Sequence, residues 1–328
     1  MMMAQRYPTA YDGILALAPA INWVFLLGTI YWPQEIMNML DYYPRPCELE
    51  YLTAAAIEAC DELDGVKDGI ISLPDLCNFD PRVLIGEINT CDSEENKVTW
   101  QAAAIAAGTW TGFTNQEGGR LWYGLFQDAP LTNLPGLTLA DTTCTSEERS
   151  SCTGAPFPPG EEWIRLFIEK DPDFDTSNLT YAEFVDVFYR SIEEYSSIIN
   201  TADPDLSAFR DNGGKLLTWH GMADQLIMPN GTTSYYERVL ECDADAAEFY
   251  RVFLAPGTLH CAAGVGPYPY DSLDRLVAWV ESDEAPDTLI ALNRTAAGDD
   301  ATRPLCPYPK VQTYTGGDPD LLESFTCA

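Results

Sequence analysis

Two residues of this 328-residue chain have the types and the order that acyl-transfer chemistry uses: Asp224, in "WHGMADQLIMP", and His260, in "FLAPGTLHCAAG". An acid that precedes a histidine is the second half of the serine, acid, base order of one class of hydrolases. In that chemistry the imidazole takes the proton of the nucleophile, and the carboxylate fixes the imidazole tautomer and stabilises its cation. From spacing alone His260 reads equally well as a surface-loop histidine, and Asp224 as a turn residue. The chain has only 2 histidines. The other, His220, ends an apolar run just before Gly221 and reads as a structural, hydrogen-bonding residue. A nucleophile would need a G-x-S-x-G turn between strand and helix. No serine here has that setting, and no cysteine replaces it.

The elements that must hold this pair follow from local patterns. "GGKLLTWHG" reads as a buried strand over 215–219 and "EFYRVFLAPG" as another over 249–254. "NGTTSYYERVLEC" between them reads as a helix, and "YPYDSLDRLVAWVES" has apolar residues at helical spacing. "YDGILALAPAI" near the start reads as a further buried strand. Strand alternating with helix predicts an α/β protein with a parallel sheet. Loops at the C-terminal ends of neighbouring strands would then bring Asp224 and His260 together. Between 47 and 208 the chain is richer in Asp, Gly, Pro and aromatic residues. Helices are expected at 49–62, 97–108, 160–170 and 180–199, the last opened by a Thr180/Glu183 capping box. The expected organisation is a core of 1–46 and 209–328 with a lid of 47–208. Trp100, Trp110, Phe113, Trp122 and Tyr123 in the lid read as core residues before substrate contacts.

A formal net charge of -33 excludes nucleic acid and anionic membrane surfaces as partners. No run of 18 apolar residues is present, so no membrane-spanning helix is expected. The 10 cysteines suit an oxidising compartment. So do the sequons at Asn178, Asn230 and Asn293, all expected on surface loops of a secreted glycoprotein. "MMMAQRYPTA" lacks the basic and apolar segments of a secretion signal, which places the expected signal upstream. In "CDELDGVKDGI" the carboxylates of Asp61, Asp64 and Asp68, with two glycines for sharp turns, either converge on a hard cation such as calcium or form a solvated acidic turn.

Several segments together resemble the tannase/feruloyl esterase family of α/β-hydrolases. They are "AQRYPTAYDGILALAPAINW", "ACDELDGVKDGIISLPDLCNFDP", "GGKLLTWHGMADQLIMPNGTTSYYERV", "FLAPGTLHCAAGVGP" and "RPLCPYP", in the family's order over essentially the whole chain. The resemblance implies an α/β-hydrolase core with a large inserted lid, incomplete here because the N-terminal strands and the nucleophile elbow are lacking. It implies a secreted serine carboxylic ester hydrolase that acts on feruloyl, hydroxycinnamoyl or galloyl esters through an acyl-enzyme. Asp224 would be the acid and His260 the base. The nucleophile would lie in a G-C-S-x-G-G-R-Q motif just upstream of Met1, so that the chain alone is expected to be inactive.

By the same resemblance Cys261 is half of a disulfide whose partner precedes the nucleophile. Cys60–Cys77 and Cys306–Cys327 are the favoured pairs and Cys144–Cys152 a further one, with Cys47, Cys91 and Cys242 unassigned. The family also implies a structural Ca²⁺ bound by the side chains of Asp61, Asp64 and Asp68 and the carbonyls of Val66 and Ile70. The alternative is a non-catalytic, calcium-binding secreted glycoprotein derived from the same family.

Overall fold

The computed structural model describes residues 1–91, 94–134, 136–146, 149–294 and 300–328. The chain divides into two compact units. Met1–Ile21, Asp61–Cys77 and Thr201–Ala328 form the first, and Asn22–Cys60 with Asn78–Asn200 the second. The expected boundaries therefore move. The first core segment ends at Ile21 instead of 46, the core resumes at Thr201, and the acidic loop belongs to the core unit instead of the lid.

The first unit is built on a parallel three-stranded sheet. Lys215–Gly221 is its centre, flanked by Gly13–Leu17 and Tyr250–Ala255. The register runs from Gly13 opposite Lys215 to Leu17 opposite Trp219, and from Leu216 opposite Tyr250 to Gly221 opposite Ala255. Leu216–Gly221 is buried throughout, as an apolar run in a parallel sheet covered on both faces must be.

The period-2 alternation of the strands sorts their side chains between two cores. On one side Leu216, Tyr250 and Val252 pack with Tyr235, Tyr236 and Val239 of the helix Pro229–Cys242. On the other, Leu217, Trp219, Phe253 and Ala255 pack with Leu276 of the helix Ser272–Ser282 and with Leu289, Ala291 and Leu305. Leu289–Arg294 and Asp300–Leu305 pair antiparallel beside this second core. The Cys306–Cys327 disulfide ties the following segment to the terminal strand Phe325–Cys327.

The second unit is mainly helical. Trp32–Leu40, Pro46–Cys60, Trp100–Thr111 and Tyr181–Ile199 are its main helices. The expected helix at 160–170 is a short α-helix, Pro158–Glu162, that widens into a π-helical turn over Trp163–Ile168. Thr180 and Glu183 make the reciprocal hydrogen bonds of a capping box. The core is aromatic: Trp32, Phe113, Phe184 and Phe188 stack or meet edge to face with centroids 5.0–5.9 Å apart. Phe113 is a core residue, Trp122 packs on Phe25 and Tyr123, and Trp100 is exposed. Disulfides join Cys47 to Cys91 and Cys144 to Cys152, and Cys60 and Cys77 are also disulfide-bonded.

The sequons do not all lie on surface loops. Asn178 does, in an exposed turn. Asn230 sits in the first turn of Pro229–Cys242, and the hydroxyl of its Thr232 is buried against His220. A helical turn with a committed hydroxyl is no open loop. Thr295 of the third sequon lies outside the described residues. Among the described residues no helix is long and apolar enough to cross a membrane.

Candidate active site

The strand Lys215–Gly221 ends in a tight turn that carries Asp224. The strand Tyr250–Ala255 ends in a compact loop that carries His260. Backbone contacts lock the two together: Met222 N–H donates to Ala255 O at 2.8 Å and Ala223 N–H to Thr258 O at 3.0 Å. Gly221 permits this approach. A Cβ there would stand 2.3 Å from Thr258 O and 2.4 Å from Leu259 O, far inside contact distance with atoms that cannot swing away. Replacement of Gly221 by alanine is expected to cost about 1–3 kcal/mol by overpacking and to push the His260 loop off its seat. An unchanged denaturant midpoint in G221A would contradict that account.

The loop folds on itself. Leu259 N–H donates to Ala263 O, Gly266 N–H to Gly257 O, and the buried Thr258 hydroxyl to Pro267 O. Cys261 and Ala263 take left-handed backbone angles, φ 60° and 62°, which cost a non-glycine residue about 1–2 kcal/mol each. The strain is local to the segment that presents His260.

Asp224 is fully buried, and both of its carboxylate oxygens are hydrogen-bonded. Its Oδ1 accepts from the amides of Leu226 and Ile227, both at 2.9 Å. Its Oδ2 meets two imidazoles, His260 Nδ1 at 2.9 Å and His220 Nε2 at 3.1 Å. A carboxylate only accepts, so both ring nitrogens carry protons toward it. With Nδ1 protonated, neutral His260 keeps its basic lone pair on Nε2. Among the described residues nothing hydrogen-bonds to that nitrogen, and the side chain is 35% exposed. Gln225 Oε1 accepts from the His260 amide at 3.2 Å and holds the backbone as well.

The electrostatics agree with this geometry. Burial by itself would raise the Asp224 carboxyl. The hydrogen bonds from His220 and His260 outweigh it and hold the group well below the usual carboxylate range. The same bond from Asp224 raises the His260 imidazole above its ordinary value, with burial opposing. The Cys261 thiol is free and is pushed up to about 11, by burial first and then by the charge of Asp224. Cys242, the other free cysteine among the described residues, is exposed at the end of its helix.

Asp224 and His260, singled out in the sequence, are thus in direct contact. His220, which reads there as structural, is on the same carboxylate oxygen. Gln225 and Thr232 carry no signal in the sequence that marks them for the site. The signal for His220 is available: a histidine at a strand end four residues before an acid can fold back onto it when the intervening turn is tight.

The acidic loop is held largely by hydrogen bonds of its own. Asp61 Oδ1 and Oδ2 accept from the amides of Asp68 and Gly69, Asp64 from Val66, and Asp68 from Ile70. Asp68 Oδ2 is also paired with Arg303 Nη2 at 3.1 Å. Burial pushes the Asp68 carboxyl up, Arg303 opposes, and the charges of Asp64 and Asp61 add to the rise. Val66 and Ile70 are buried. The donors are hard oxygens, the kind calcium takes. Among the described residues, however, no group of three acidic, His or Cys side chains gathers closely enough to hold a metal, and Arg303 is the cation facing Asp68.

Residues 1–328 match the family described as "Tannase and feruloyl esterase". The chain is 41% identical over 335 residues to "Probable feruloyl esterase" of Arthroderma benhamiae, with all of this chain and 61% of that protein covered. It is 31% identical to "Mono(2-hydroxyethyl) terephthalate hydrolase" of Piscinibacter sakaiensis, covering all of this chain and 61% of the relative. Among solved structures, "Tannin acyl hydrolase from Aspergillus niger" superposes with a TM-score of 0.87 at 27% identity, over 99% of this chain and 61% of that one. The chain therefore spans 61% of the length of these relatives.

Proposed function

The chain belongs to the tannase and feruloyl esterase family, and from that premise we propose that it carries the acid and the base of a serine carboxylic ester hydrolase for phenolic esters. The observation that carries this reading is the buried Asp224 carboxylate on His260 Nδ1, with Nε2 left free to act. In the reaction, His260 Nε2 removes the proton of a serine hydroxyl as its oxygen attacks the ester carbonyl. The imidazolium, stabilised by Asp224, then returns that proton to the departing alcohol, leaving an acyl-enzyme. A water attacks the acyl carbon by the same route, and the acid is released with the serine restored.

In this reading the attacking serine, its oxyanion donors and the disulfide partner of Cys261 come from residues beyond the 328. On this reading residues 1–328 alone would not turn over the ester. Eight disulfide-bonded cysteines and the free Cys261 suit a secreted protein. The substrate class is supported by the names of the relatives, which share an aromatic carboxylic acid as the acyl part. The test is hydrolysis of methyl ferulate and methyl gallate by the whole protein, with release of the free acid followed. Turnover of at least one is expected. A folded whole protein that hydrolyses neither would overturn the reading.

The calcium reading of the acidic loop is part of the same proposal. Asp61, Asp64 and Asp68 and the carbonyls of Val66 and Ile70 would hold the ion, with Arg303 yielding part of its hold on Asp68. A metal that binds only the folded state at about 100 times its Kd adds about 2.7 kcal/mol, a shift of about 4 °C in a chain of this size. Chelation with EGTA is expected to lower the thermal midpoint by about that amount, and added calcium to restore it. An unmoved midpoint would overturn the calcium reading of the loop.

A further inference from the structure

The geometry points to His220 as a positioning residue for the acid–base pair: it fixes the Asp224 carboxylate in the orientation that His260 uses and takes up part of its charge. This rests on the reading of Asp224 and His260 as acid and base.

His220 is fully buried, yet both of its ring nitrogens have partners. Nε2 stands 3.1 Å from Asp224 Oδ2 and 3.1 Å from Ile227 O. Both partners only accept, so Nε2 carries the proton and divides it between them. Nδ1 stands 2.9 Å from Thr232 Oγ1, and the Thr232 hydroxyl is the donor in that bond. Thr232 thus selects the tautomer that points a proton at Asp224. Ile227 closes the ring of contacts, because its amide donates to Asp224 Oδ1 while its carbonyl accepts from His220.

A purely structural histidine at the end of Lys215–Gly221 would not need to share the oxygen that His260 uses. With the Oδ1 side pinned by two amides, only the Oδ2 side remains to be fixed in rotation and charge. His220 does both. Its N–H withdraws charge from Oδ2 and so tempers how strongly Asp224 holds the imidazolium of His260. The titratable groups facing Asp224 are His220, His260 and Cys261.

The test uses the whole protein with methyl ferulate or methyl gallate, whichever it hydrolyses, and compares His220→Leu, His220→Gln and His260→Ala. Loss of orientation in a catalytic group costs up to about 100-fold. H220L is expected to lower kcat by about 10- to 100-fold with KM little changed. Its acidic pH limb should move upward by about half a unit, because Asp224 then acts on His260 undiluted. H220Q keeps an N–H near the position of Nε2 and is expected to recover most of the kcat.

A folded H220L with unchanged kcat and pH limb, beside an inert H260A, would overturn the positioning role alone. So would an H220Q no better than H220L. Full activity in H260A would overturn the acid–base reading and this inference with it. If H220L does not fold, Thr232→Val serves in its place. It removes only the tautomer-selecting hydroxyl and is expected to lower kcat by about 5-fold, and an unchanged kcat there would also overturn the role.

Discussion

Replacement of His260 by alanine in the whole protein is expected to lower kcat by about four to six powers of ten, with KM nearly unchanged. Removing the base of an assembled triad leaves only what binding and oxyanion stabilisation supply. Three features make this the largest effect. His260 Nδ1 is committed to a buried acid, its Nε2 has no other bond among the described residues, and the other histidine, His220, is sealed at 0% exposure. No second imidazole can take over. The loop that carries His260 is held by its own backbone hydrogen bonds and by contacts with the Gly221 turn, so the alanine variant should fold normally. Single-turnover and steady-state rates on methyl ferulate or methyl gallate, with circular dichroism as the control for folding, decide the matter. A well-folded H260A that keeps even a tenth of the activity would remove His260 from the reaction.

Asp224→Asn is expected to lower kcat by about 10⁴-fold, the scale seen when the acid of such a triad becomes an amide. The local hydrogen bonds fix how the new side-chain amide sits. The backbone amides of Leu226 and Ile227 both donate to the Oδ1 side, so the carbonyl of the introduced side chain stays there. Its NH₂ then faces both imidazoles and donates to His260 Nδ1. The proton of His260 moves to Nε2, the wrong nitrogen for a base. The same NH₂ opposes the N–H of His220, which keeps only its bond to Ile227 O.

The pH dependence carries a sign that checks this account. His260 is raised by its bond to Asp224, so the free base, and with it the activity, appears as pH rises through a value above the ordinary imidazole pKa of about 6.5. In D224N the residual activity should have its acidic limb at lower pH. Stability follows the same linkage. The raised His260 contributes stability fully below its unfolded pKa and loses it as pH rises through the folded one. The depressed Asp224 contributes above its unfolded pKa and loses it as pH falls through the folded one. The native protein should therefore lose stability from this pair as pH rises above about 6.5, a loss that D224N abolishes. Unfolding midpoints at pH 6 and 8 that fall equally in both proteins would contradict the assignment.

What the sequence determined by itself is local. The strands Lys215–Gly221 and Tyr250–Ala255 were legible as short apolar runs bounded by turn residues, and the helices Pro229–Cys242 and Ser272–Ser282 as helical segments beside them, because both signals are written in neighbouring side chains. The capping box of Tyr181–Ile199 was legible because Thr180 and Glu183 share one turn. The order of Asp224 and His260 was legible because parallel strands deliver their loops to one end. The helix Trp32–Leu40 was not, since it buries Gln34 and Glu35 beside its apolar residues, a placement that tertiary packing decides and the polar pattern of the segment does not announce.

Other features depended on groups far apart in the chain. Cys47 and Cys91 are 44 residues apart, and spacing does not determine connectivity. The acidic loop falls in the first unit, where Asp68 pairs with Arg303, 235 residues away, and Ile70 packs at Gly257. His220 became part of the site because the turn from Met222 to Met228 is tight enough to return Ile227 and Asp224 onto its ring. A carboxylate oxygen buried without water must find its partners among whatever groups the fold brings within about 3 Å. The sequence lists those groups, but only the packed chain decides which of them meet.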